Sequence, residues 1–174
     1  MSKFKSDPLL NSARILIGFL MGICAFAGGA VVLGVGAILT VQRQDLVAKL
    51  AAEGIPANGV NAILAILILV AAVMALGFFF LRHLLRIIGS VGEGDPFNPV
   101  NADRLRSMGW LAIASQPVMW TLGLVAHWIE QFTDKAHTEV GISLGAIILG
   151  LILFILARVF RTGAAMREEL EGTV

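Results

Sequence analysis

Charge is scarce in this sequence. Asp, Glu, Lys and Arg make up 14% of its 174 residues while 57% are hydrophobic, against about 25% and about 45–50% in soluble domains. That balance excludes an ordinary water-soluble globule. Cysteine is nearly absent too: Cys24, the single one, cannot close an intramolecular disulfide, and within an apolar run it reads as a small packed hydrophobe. No CxxC or HExxH spacing and no Gly-Lys-Ser/Thr occurs, which removes common zinc, metalloprotease and P-loop chemistries. The net charge of +1 carries no basic stripe for nucleic acid.

What the sequence does have is four runs without a charged residue: Ile15–Gln42 with 28 residues, Gly54–Leu81 with 28, Ser107–Ile129 with 23 and Val140–Ala157 with 18. A helix crosses roughly 30 Å of hydrocarbon in about 20 apolar residues. The pattern predicts an all-α integral membrane four-helix bundle forming a single domain over 1–174. Its spans are expected at 15–41, 60–81, 108–129 and 140–160, with a loop over 82–107 and a tail over 161–174. Lys3, Lys5 and Arg14 ahead of the first run, followed by Ala25-Phe26-Ala27, imitate a cleavable signal. The run continues to Val41, as an uncleaved anchor does.

Four spans place both termini and the 82–107 loop on one side. That side holds ten basic residues, Lys3, Lys5, Arg14, Arg82, Arg86, Arg104, Arg106, Arg158, Arg161 and Arg167; the other holds three, Arg43, Lys49 and Lys135. The positive-inside rule therefore predicts cytoplasmic termini, and helical spans without a strand pattern predict an inner rather than an outer membrane. On the other side, Leu46, Val47 and Leu50 share a face between Gln42 and Asn58, with Asp45, Lys49 and Glu53 spaced by four. This predicts a short surface helix ended by Gly54 and Pro56.

Lipid is as apolar as leucine, so spanning helices associate through close packing and hydrogen bonds. Small residues recur for that purpose: Gly18, Gly22, Gly28, Gly29, Gly34 and Gly36 in the first span, and Gly141, Gly145, Ala146 and Gly150 in the last. The spacing fits packing within one bundle or a seam between two copies. The third span contains Gln116-Pro117, with Ser115 and Thr121 nearby. A proline interrupts one backbone bond and kinks a helix, and the amide beside it either lines a ligand path or satisfies the freed carbonyl. Trp110 and Trp128 fall near opposite ends of this span, as interfacial anchors do.

Candidate chemistry is thin. His127, Glu130, Asp134 and His137 are spaced to share a face if the third helix continued outward, which would suit a divalent metal; a hydrated membrane-edge loop accounts for them equally. No metal or cofactor is assigned. The glycine-rich Gly89–Pro96 segment reads as a turn before a new helix, with Asn98 as N-cap and Pro99 first in the helix. Arg82, Arg86, Arg104 and Arg106 suit phosphate or anionic-lipid contact, though topology alone puts them there. No Ser/His/Asp or Cys/His set is formed, because His83 and the pair His127 and His137 fall on opposite membrane faces and Cys24 lies in neither loop. An enzyme is not expected. The spans hold no deep charge, unlike those of pumps and ion-coupled transporters, and no inverted pair of broken segments.

Two stretches are similar to a known family. Gly94-Asp95-Pro96-Phe97-Asn98-Pro99-Val100-Asn101-Ala102-Asp103-Arg104-Leu105-Arg106-Ser107-Met108-Gly109-Trp110 resembles the central signature of a bacterial four-span membrane family catalogued as domain of unknown function 2975. The segment Ala157–Val174, led by arginines and then acidic, resembles that family's closing segment, although here it reads Glu169-Leu170-Glu171-Gly172-Thr173-Val174 where many members have an Asp-Leu-Thr-Val-like ending. Members are often encoded beside a small helix-turn-helix DNA-binding regulator. The resemblance thus implies the membrane component of a regulatory pair.

From the residues, the tail continues the last span either as an amphipathic helix with Arg158, Arg161, Arg167, Glu168, Glu169 and Leu170 as partner contacts or as a solvated helix end. Asp95, Pro96, Phe97, Asn101, Arg104 and Arg106 form the loop motif. The leading expectation is a non-enzymatic membrane protein that binds and restrains a cytoplasmic helix-turn-helix regulator without itself touching nucleic acid. The alternative is an oligomeric small-solute transporter or permeation subunit using Gln116 and Pro117.

Overall fold

The structure is a computed structural model that describes residues 8–56, 58–132 and 143–171. Among these, the chain forms α1 (Pro8–Ala37), a π-helical turn (Ile38–Gln42), α2 (Arg43–Ala52), α3 (Gly59–Gly92), α4 (Pro99–Glu130) and α5 (Leu144–Glu171). Four segments, Pro8–Val41, Gly59–Gly92, Pro99–Glu130 and Leu144–Leu170, are long and apolar enough to cross a membrane. The all-α, multi-pass architecture expected from the charge-free runs is therefore present. Phe26 is 80% exposed and Leu33 76%, and continuous apolar surface of this kind requires lipid rather than water around it.

The helices outrun the charge-free stretches. α3 continues to Gly92 and α4 begins at Pro99, so the expected loop over 82–107 is helical except for residues 93–98. Arginine ends a membrane run without ending a helix, being itself a good helix former, and Leu84, Ile87 and Val91 keep an apolar face going beyond Arg82. α5 likewise carries the tail on to Glu171, as the alternation of apolar and charged residues there predicts.

The chain packs as two compact units. One comprises Met1–Ile23, Gly77–Ala114 and Leu144–Val174. Its core gathers Ile87, Leu105, Met108, Leu153 and Ala157, with Phe80, Leu84, Val91 and Phe160 packed against them. Here α4 and α5 meet backbone to backbone at Gly109 and Gly150. A Cβ at Gly109 would lie 3.2 Å from the Gly150 carbonyl oxygen and 3.0 Å from the Phe154 ring, and one at Gly150 would lie 3.0 Å from Ile113 Cγ1. Trp110 packs edge-on against Phe154 at 5.3 Å beside this crossing.

The other unit comprises Cys24–Leu76 and Ser115–Ser143. The π turn, in which the Thr40 hydroxyl donates to the Gly36 carbonyl at 2.8 Å, leads into α2. The predicted face of Leu46, Val47 and Leu50 packs with Ile55, Val60 and Leu64. α2 ends as expected at Gly54. With φ at +78°, its N–H bonds to the Ala51 carbonyl and the Ile55 N–H to the Leu50 carbonyl, a left-handed cap that favours glycine.

The glycines of α1 behave differently from Gly109 and Gly150. Gly28 touches Met74, with 3.4 Å left for a Cβ, whereas Gly18, Gly22, Gly29, Gly34 and Gly36 face open space among the described residues. Gly109→Ala is expected to lower stability by about 1–3 kcal/mol through overpacking, whereas Gly18→Ala leaves it unchanged or slightly raised through helix propensity. Thermal unfolding of both variants in one detergent checks the contrast.

Candidate functional site

The residues of the loop motif assemble at the turn between α3 and α4. α3 closes with a left-handed cap at Gly94, φ +84°: the Gly94 N–H bonds to the Val91 carbonyl and the Asp95 N–H to the Ser90 carbonyl, the two bonds of a Schellman motif. Asn98 Nδ2 then donates to Asp95 Oδ2 at 3.0 Å, and Asn98 Oδ1 accepts the Val100 N–H at 3.0 Å. Asn98 thus caps α4 and Pro99 opens it, as the sequence predicts.

Asn101 is fully buried. Its amide nitrogen donates to Ser90 Oγ at 2.6 Å and to the Pro96 carbonyl at 2.9 Å, while its Oδ1 accepts from the Arg104 guanidinium at 2.9 Å. The Ser90 hydroxyl in turn donates to the Ile87 carbonyl at 2.8 Å, and Arg104 also donates to the Arg86 carbonyl at 3.1 Å. Both N–H groups and the oxygen of the amide are satisfied, so one side chain joins α3, the turn and α4.

α5 is tied to this turn by side chains of the tail. Arg161 pairs with Asp103 at 2.6 Å, and Arg167 with Asp95 at 2.7 Å. Between them the Phe97 ring packs on Phe160 with centroids 5.4 Å apart and covers Gly163, where a Cβ would come within 2.8 Å of it. Arg158, Glu168, Glu169 and Leu170 lie exposed on α5, and Arg106 lies exposed on α4. Along α5, Ile155, Arg158, Val159, Thr162 and Met166 line a shallow groove of about 490 Å³. The turn motif and the tail, far apart in sequence, thus meet in the structure, with Arg161 and Arg167 serving as ties.

Gln116 and Pro117 belong to the other unit. α4 runs through Pro117 without ending, and the Thr121 hydroxyl donates to the Pro117 carbonyl at 2.8 Å. Gln116 Oε1 accepts the Ser143 N–H at 3.2 Å, just ahead of α5, and its Nε2 donates to Ser115 at 3.3 Å. The amide thus supports backbone at the start of a helix. Of the possible metal face, His127 and Glu130 stand 3.5 Å apart, and Asp134 and His137 lie outside the described residues. Among the described residues no three His, Cys, Asp or Glu side chains gather at a metal-binding distance.

Sequence reasoning did not find Ser90, Asp103, Phe160 or Gly163. Gly163 carried a readable signal, because glycine inside a helix costs about 1 kcal/mol relative to alanine and tends to mark a close approach. The other three are ordinary residue types whose roles depend on contacts across elements.

A family model described as Protein of unknown function (DUF2975) matches residues 84–174, which takes in the turn, α4 and α5. No curated protein and no solved structure matches the chain.

Removing the buried amide by Asn101→Leu is expected to cost about 1–3 kcal/mol, the penalty for a stranded buried partner. The exposed ties are weaker. A double-mutant cycle over Asp95 and Arg167 is expected to give a coupling of about 0.2–1 kcal/mol that shrinks with added salt, measured by chemical unfolding at two ionic strengths.

Proposed function

We propose that this chain, which belongs to the DUF2975 family, is a non-enzymatic bacterial inner-membrane protein that docks a cytoplasmic partner on the face built by its α3–α4 turn and α5 tail. The observation that carries this reading is the pair of ties from Arg161 to Asp103 and from Arg167 to Asp95. A helix leaving a membrane frays in water unless something holds it, since four carbonyls at its end lack partners. Here ion pairs and a ring contact hold the tail against a turn that is itself fixed by Asn101. The result is a defined surface with Glu168, Glu169 and Leu170 exposed at its edge.

Ten of the thirteen basic residues fall on the side of this surface, which supports a cytoplasmic orientation for it and for both termini. The resemblance to a family often encoded beside a helix-turn-helix regulator supports that class of partner, restrained at the membrane by being held there. Such a partner brings the DNA contact; this chain contributes apolar and charged side chains at the edge of a helix, a common mode of helix recognition.

A photo-crosslinking amino acid placed at Glu168 in the full chain is expected to capture one soluble protein in native membranes, and the same probe at Leu33 is expected to capture none. Charge reversal of both ties, Arg161→Glu with Arg167→Glu, is expected to reduce capture at Glu168 several-fold. Equal capture at both positions, or none at Glu168, overturns the reading.

A further inference from the structure

The arginines around the turn are not equivalent. Arg161 and Arg167 hold carboxylates, Arg104 holds the Asn101 amide oxygen and a carbonyl, and Arg14 donates to the Ile88 and Gly89 carbonyls at the end of α3. Arg158 differs from all of these. Like Arg82, Arg86 and Arg106 it is exposed, with a guanidinium that makes no ion pair or hydrogen bond among the described residues, and unlike Arg14, Arg104, Arg161 and Arg167 it is not committed to holding the fold. It opens onto the groove whose walls are Ile155, Val159, Thr162 and Met166. Ile155 is 57% exposed and Val159 55%, while the Thr162 hydroxyl turns inward to the Arg158 carbonyl at 3.1 Å. Among the described residues that line the groove, the guanidinium is therefore the one cationic donor.

Its place along the helix narrows the occupant. Arg158 is the first charged residue after the charge-free run Val140–Ala157, so it stands where the last span leaves the hydrocarbon. A ligand that fits there presents an anion at the level of Arg158 and an apolar chain beside it on the membrane side. We propose that Arg158 and the membrane-side end of its groove seat an anionic phospholipid of the surrounding bilayer, with the phosphate on the guanidinium and an acyl chain along Ile155. The planar fork of arginine suits the two oxygens of a phosphodiester, and a headgroup without a choline cation leaves that phosphate a net charge for the guanidinium to neutralise. Free phosphate shares the anionic chemistry but makes no use of the apolar walls. The inference rests on the membrane-spanning architecture and is independent of partner docking at Glu168.

The test uses the purified full chain in mild detergent, offered phosphatidylglycerol and phosphatidylcholine of matched acyl chains and followed by native mass spectrometry. Phosphatidylglycerol is expected to be retained in preference. Arg158→Gln is expected to weaken its apparent affinity about five-fold, the worth of one basic residue at an anionic surface, with phosphatidylcholine unchanged, while Arg158→Lys keeps most of the preference. Unchanged phosphatidylglycerol binding in Arg158→Gln overturns the proposal. So does displacement of the lipid by inorganic phosphate alone at comparable concentration, which makes the site one for a free anion. Loss of a bound protein or of a second copy in Arg158→Gln, with lipid retention intact, also overturns it, by showing that the groove is a protein interface.

Discussion

A carboxamide removed from water must find partners for both its N–H groups and its oxygen, and the penalty for failing is large enough to unseat a local structure. Asn101 meets that constraint with Ser90 of α3, the Pro96 carbonyl of the turn and Arg104 of α4. The geometry around it follows. The turn can be short because Gly94 supplies a left-handed residue and Asn98 caps the next helix. With Asp95 and Asp103 held by the elements that Asn101 joins, Arg161 and Arg167 have fixed carboxylates to meet. Exposed ion pairs contribute little by themselves, so the ties orient a tail whose support comes from the packing of Leu153, Ala157 and Phe160 on Ile87, Leu105 and Met108.

Elsewhere in the same unit the governing constraint is the absence of a hydrophobic drive between helices in lipid. α4 and α5 approach until the Gly109 and Gly150 backbones touch the neighbouring helix, with Phe154 and Ile113 closing over them. That contact brings α5 close to α4 upstream of the tail. The open glycines of α1 serve no such approach among the described residues, although their spacing in the sequence looks alike.

The spans were legible because a run without charge has one economical explanation at 18 to 28 residues. The caps at Gly54 and Asn98 were legible as well, since each rests on local chemistry carried by one or two residues, whereas Gly94 reads in the sequence only as part of a turn and not as the cap of α3. The true extent of α3 and α4 was not, because charge marks the edge of the hydrocarbon and says little about where a helix stops. Which glycine is a contact and which is open was also hidden: Gly18 and Gly150 sit in similar small-residue patterns, and only the neighbouring helix distinguishes them. For the site, the sequence singled out Asp95, Phe97, Asn101, Arg161 and Arg167 as two separate groups. That they meet depends on pairings 58 and 72 residues apart in the chain, beyond the reach of local pattern.

Docking on this face requires the turn and the tail to behave as one body. Hydrogen exchange on the full chain in lipid nanodiscs tests this directly, since amides that open together share one opening free energy and respond alike to denaturant. The account predicts that residues 93–101 and 158–167 are protected to a similar degree and lose protection in parallel. A tail that exchanges freely as a frayed helix end while the turn stays protected contradicts it.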